Sequence, residues 1–238
     1  MGNKYILEVC AFNIQSCIVA EQVGAQRIEL CDNPKEGGTT PSYGTIRRVK
    51  EKVSISLYPI IRPRAGDFLY NEDEFAIMRK DIEICKQLGC EGISTGIQLE
   101  DGSIDTERMK RLVEWAYPMG VTCHKAFDIT PDPFTALEAL IGCGCERILT
   151  SGLGATAADG IDTLAKLVAA SAGRIIIMPG GGVRANNIGM LAEKTGAKEF
   201  HTSARTIVQS VPSAASAGLG DIYITDEKEL RAILSYMK

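Results

Sequence analysis

Short β-branched runs alternate along the chain with longer stretches whose apolar residues recur at helical spacing. The strand-like runs are Tyr5–Cys10, Arg27–Cys31, Ser54–Arg62, Gly92–Thr95, Val121–His124, Arg147–Thr150, Arg174–Met178 and Glu199–His201. Amphipathic windows separate them: Ile14–Val23, Tyr43–Lys52, Glu72–Leu88, Thr106–Tyr117, Pro133–Cys143, Ile161–Ala170 and Asn187–Lys194. A last helix is predicted over Asp226–Met237, with Thr225 as its N-cap. Eight such units in 238 residues predict an α/β chain forming one domain over residues 1–238, a (β/α)8 TIM barrel. An open doubly wound sheet would want a glycine-rich turn after the first strand, where the chain reads Cys10-Ala11-Phe12-Asn13. Pro59 inside the third strand predicts a bulge, because a proline removes a ladder donor. The Ser-, Ala- and Gly-rich segment 206–221 is read as an irregular stretch free to move.

Composition narrows the function classes. With 26 basic and 30 acidic side chains the formal net charge is −4, and no basic stripe with interleaved aromatics offers a face for nucleic acid. No apolar run nears the length of about 18 residues that spans a bilayer, and Glu8 interrupts any leader at the N-terminus. Eight cysteines without a secretion signal predict reduced thiols and a cytoplasmic location.

In a barrel of this kind the functional residues cluster at the carboxyl ends of the strands. Alternation in Leu7-Glu8-Val9-Cys10 sends the apolar pair outward and turns Glu8 and Cys10 inward. The same logic in Ile28-Glu29-Leu30-Cys31 turns Glu29 and Cys31 inward on the neighbouring strand. Two thiols so placed could bind a soft ion such as Cu(I), or simply cap the core. The buried carboxylates need a cation, a donor or a proton to offset their desolvation. Arg62 ends the third strand, His124 with Asp128 follows the fifth, and His201 ends the eighth. Glu8, Glu29, Arg62, His124 and Asp128 around one barrel mouth could run proton transfer. A separate anion-binding site is predicted where Gly180, Gly181 and Gly182 follow the seventh strand and Ser203 and Arg205 follow the eighth.

These motifs, taken in order from about residue 5 to 205, resemble the copper homeostasis protein CutC family. The resemblance is carried by Leu7–Cys10, Arg27–Cys31, Glu36–Ser42, Ile61–Tyr70, His124–Asp128, Arg147–Gly152, Met178–Val183 and Glu199–Arg205. It implies a cytoplasmic TIM barrel that forms a homo-oligomer, a dimer or tetramer, with a role in copper tolerance or trafficking. It also implies Cys10 and Cys31 as copper ligands. Departures from the family pattern include Lys125 for arginine and Cys123 for phenylalanine, and a shorter tail after Arg205. Two functions are therefore expected in competition. One is a Cu(I)-binding protein using Cys10 and Cys31. The other is an enzyme on a small anionic or phosphorylated metabolite, with Glu8, Glu29, His124 and Asp128 as acid–base groups and Arg62 stabilising negative charge.

Overall fold

The computed structural model of the protein describes residues 5–208 and 221–237. Strand and helix alternate as β1 (Ile6–Ala11), α1 (Ile14–Val23), β2 (Arg27–Leu30), α2 (Tyr43–Lys50), β3 (Ser56–Pro59), α3 (Glu72–Gln87), β4 (Gly92–Thr95) and α4 (Thr106–Ala116). The series continues with β5 (Gly120–Cys123), α5 (Pro133–Cys143), β6 (Arg147–Thr150), α6 (Ile161–Ser171), β7 (Ile176–Pro179), α7 (Ile188–Thr195) and β8 (Glu199–Thr202). Parallel pairing orders the strands β3-β2-β1-β8 and β4-β5-β6-β7, so the first and eighth strands are neighbours. The two halves meet where Ile60 bridges Ser94 and where β7 runs beside β8. This is the TIM barrel that the spacing predicts.

Polar caps set where several helices begin. Asn13, Asn71, Asp105 and Asp132 each accept a backbone N–H from the first turn of the helix that follows, and Glu74 completes a capping box with Asn71. The outward side chains Leu7, Val9, Ile28 and Leu30 join the main apolar cluster between strands and helices.

Three local expectations are corrected. Pro59 makes no bulge, since the β2–β3 register runs one to one from Arg27 opposite Ser56 to Leu30 opposite Pro59. The Ile60 N–H turns to Leu30 and the Ile61 N–H turns to Ser94. The donor missing at Pro59 therefore falls on the β4 side, at a seam where the ladder is already interrupted. Residues 206–208 are not irregular: they belong to β9 (Arg205–Val208), which pairs antiparallel with β10 (Ile222–Thr225) through facing β-branched residues. The rest of the glycine-rich stretch, 209–220, lies outside the described residues. The last helix, α8 (Glu227–Tyr236), is capped by Asp226, whose carboxylate accepts from the N–H of Lys228 and of Glu229. Thr225 instead closes β10, its N–H donating to Ser16 Oγ.

The inside of the barrel is charged. Arg27 pairs with Glu8 and also with Glu199 at 2.6 Å, and Arg147 holds the same Glu199 at 2.7 Å. The Tyr58 ring lies within 5.3 Å of the Arg27 guanidinium and 5.5 Å of that of Arg147. Two glycines on adjacent strands make room for that ring. A Cβ on Gly92 would stand 2.1 Å from it, and one on Gly120 would stand 2.6 Å from its hydroxyl. A lumen normally filled by branched apolar side chains is thus plugged at its base by an ion-pair network.

Candidate metal centre

Above this plug, alternation delivers the four inward side chains that the sequence predicts. Glu8 and Cys10 come from β1, Glu29 from β2, and Cys31 follows β2 with its N–H bonded to the Ala11 carbonyl. The two thiols share a hydrogen bond with their sulfurs 3.8 Å apart, and Cys31 Sγ lies 3.6 Å from Glu29 Oε2. One ligand atom from each of Cys10, Glu29 and Cys31 falls within 4.8 Å of the others, and all three residues are buried. Around the thiols, Ile60 and Phe12 form a small apolar patch distinct from the main core.

His201 joins the upper and lower layers. Its Nδ1 lies 2.7 Å from Glu8 Oε1 and its Nε2 lies 3.8 Å from Glu29 Oε2. Burial opposes charge on all of these groups, and the neighbours decide which of them ionise. Burial alone would raise the pKa of Glu8, but Arg27 and His201 outweigh it and hold the carboxylate near 2. The hydrogen bond with Cys31 does most to lower the Cys10 thiol, to about 5 against its burial, with His201 assisting. That same bond, with burial, pushes Cys31 up. Burial, then the Cys10 charge, raises Glu29 to about 8. Burial works against the His201 imidazolium, yet its bonds to Cys10 and Glu8 raise its pKa well above the ordinary value. The surroundings thus favour the charged forms of Cys10, Glu8 and His201 and the neutral forms of Cys31 and Glu29.

The centre forms the floor of a cavity of about 1020 Å3 at the carboxyl ends of the strands. Cys10, Glu29 and His201 reach its surface, as do Arg62, His124, Asp128, the Gly180–Gly182 turn, Ser203 and Arg205, whereas Glu8 and Cys31 lie beneath it. Several of the predicted acid–base groups are already engaged. The Asp128 carboxylate accepts from Thr150 Oγ1 at 2.5 Å and from the Ser151 and Leu153 N–H groups. Arg62 donates to the carbonyls of Glu36, Gly38 and Gly66 and so ties two loops together. His124 is buried and held to about pKa 3, by burial first and the Arg62 charge second. Among the described residues no hydrogen bond or ion pair connects His124 or Asp128 to the thiol centre.

Sequence reasoning notes His201 only as a strand-end histidine and gives it no place in the site. It gives Arg27, Arg147 and Glu199 no role beyond opening their strands. Arg27 shares the parity of Glu29, so the alternation that turns Glu29 inward was a usable signal for Arg27 too.

Comparison with known proteins places this architecture. The CutC family model matches residues 5–206. The chain belongs to the CutC family. The CutC family protein of Parabacteroides distasonis is 57% identical over 208 residues, covering 87% of this chain and 86% of that one. That of Chromobacterium violaceum is 48% identical over 215 residues, covering 90% and 87%. The crystal structure of the copper homeostasis protein CutC of Streptococcus agalactiae superposes with a TM-score of 0.79 at 35% identity, covering 84% of this chain and 98% of that one. A deoxyribose phosphate aldolase from Aeropyrum pernix, at TM-score 0.63 and 14% identity, shares the fold alone. The thiol centre and the Gly180–Gly182 turn both lie inside the matched span, as do Arg62, His124, Asp128, Ser203 and Arg205.

Proposed function

We propose that this CutC-family protein binds copper as Cu(I) between Cys10 and Cys31, beside the carboxyl group of Glu29. The observation that carries the reading is the buried pair of sulfurs 3.8 Å apart with a carboxylate beside them. Two metal–sulfur bonds of about 2.3 Å reach across about 4.6 Å at most, so both sulfurs lie within span of one ion. Thiolates select soft ions, and the hydrogen bond with Cys31 lowers the Cys10 thiol pKa toward the thiolate. A structural Zn2+ site would want four protein donors, and only three gather here among the described residues. The name of the Streptococcus agalactiae relative points the same way. When bound, the ion would be cargo held by Cys10 and Cys31, with release of the Cys31 proton.

The test is an anaerobic titration of reduced protein with Cu(I) against a competing chelator. Tight one-to-one binding that is lost in the Cys10→Ser, Cys31→Ser double variant supports the reading. Equal affinity in the double variant, with its melting temperature retained, overturns it.

A further inference from the structure

A copper ion needs neither the volume nor the cationic rim of the cavity above the thiols. We infer that the wall between the β7 and β8 loops is a binding site for the phosphate group of a small phosphorylated metabolite.

The β7 loop is built to present backbone donors. Gly181 and Gly182 both take positive φ, 89° and 73°, which glycine adopts without strain. The Gly181 carbonyl accepts from the Ala157 N–H at 2.8 Å, and the Gly182 carbonyl accepts from Asn187 Nδ2 at 2.9 Å. In a trans peptide the N–H points opposite to the carbonyl. Fixing those two carbonyls therefore fixes the N–H groups of Gly182 and Val183 in the opposite sense. The N–H groups of Gly181, Gly182 and Val183 bond to no acceptor among the described residues, although all three residues line the cavity. Thr202 Oγ1 donates to the Val183 carbonyl at 2.8 Å and so locks this turn to the end of β8, beside Ser203.

The side chains supply the charge. Lys125 and Arg184 line the same cavity, and neither side chain makes a hydrogen bond or ion pair among the described residues. Arg62, 5% exposed, also lines it, and its Nε is a buried donor without a partner. The carboxylates on the cavity do not cancel this field. Asp128 is spent on the Thr150–Leu153 turn, Glu29 lies at the floor against the Cys31 thiol, and Glu36 is exposed. Clustered backbone donors with unpaired cations are the chemistry that recognises a phosphate. The remaining volume accommodates the organic part of a small ligand, since pockets of about 300–1,000 Å3 serve whole metabolites.

The test uses full-length, reduced, metal-free protein labelled with 15N-glycine and titrated with inorganic phosphate, glycerol 3-phosphate, acetate and glycerol. Phosphate and glycerol 3-phosphate should shift the Gly181 and Gly182 amides, assigned with Gly181→Ala and Gly182→Ala. Arg184→Ala and Lys125→Ala should each weaken binding about tenfold. The Cys10→Ser, Cys31→Ser variant should bind phosphate like the parent, which separates this site from the copper reading. Failure to bind phosphate overturns the inference. Binding that leaves both glycine amides unmoved, or that survives both charge removals unchanged, also overturns it. Acetate acting as strongly as phosphate overturns the assignment to a phosphate group.

Discussion

Glu199 receives both buried arginines of the barrel base, Arg27 at 2.6 Å and Arg147 at 2.7 Å. Removing one member of a buried pair strands the charge of its partner, at a cost of about 3–5 kcal/mol. Glu199→Ala should therefore lower the melting temperature by about 6–20 °C in a chain of this size, as read by calorimetry. A shift below 2 °C would mean that the network carries little stability. His124 makes a prediction about pH. Its folded pKa is held to about 3 against 6.5 for the free side chain, so the unfolded chain takes up the proton first as pH falls. Its contribution is intact above pH 6.5 and is lost between pH 6.5 and 3, at up to about 1.4 kcal/mol per pH unit. In urea unfolding at stepped pH, His124→Asn should flatten the stability profile over that window. An unchanged slope would contradict the buried neutral imidazole. At this scale the inward positions of Glu8, Cys10, Glu29 and Cys31 were legible because each interrupts an apolar alternation. The ionisation of those groups was not, because it depends on His201, which lies on β8 and meets β1 only through long-range pairing.

Elements were read more accurately in kind than in extent. The windows for α1 and α5 coincide with the observed helices, since Asn13 and the Asp132-Pro133 pair mark their starts and Gly24 and Gly144 their ends. The third strand proved far shorter than its apolar run. Residues beyond Pro59 leave the regular ladder at the β3–β4 seam, which is a property of pairing and not of the run itself. Thr225 and Asp226 are both good caps, and β10 decides between them by using the Thr225 N–H. Asp226→Ala should cost α8 about 1 kcal/mol in chemical denaturation, while Thr225→Ala should not remove the cap. Gly92 opens a predicted strand and Gly120 immediately precedes one, and neither position signalled the ring it makes room for. Because a Cβ at Gly92 overlaps the Tyr58 ring, Gly92→Ala should destabilise the barrel by about 1–3 kcal/mol. Pairing it with Tyr58→Ala should recover part of that loss.

For the whole molecule, the eightfold alternation of strand and helix dictates where a site can be, and the CutC motifs occupy that end of the barrel. The lumen is layered, with an ion-pair plug at the base, the His201-linked thiol centre above it, and an open cationic cavity at the mouth. No helix among the described residues is long and apolar enough to cross a membrane. In the proposed reading the layering separates two ligand chemistries, with soft donors at the floor and hard anion donors around the wall. In the proposed function one copper ion sits on both sulfurs. X-ray absorption at the copper edge of the one-to-one Cu(I) protein tests it most directly. Two sulfur neighbours at about 2.2–2.3 Å are expected, reduced to one in Cys31→Ser. A copper environment without sulfur, or one unchanged in Cys31→Ser, would contradict it.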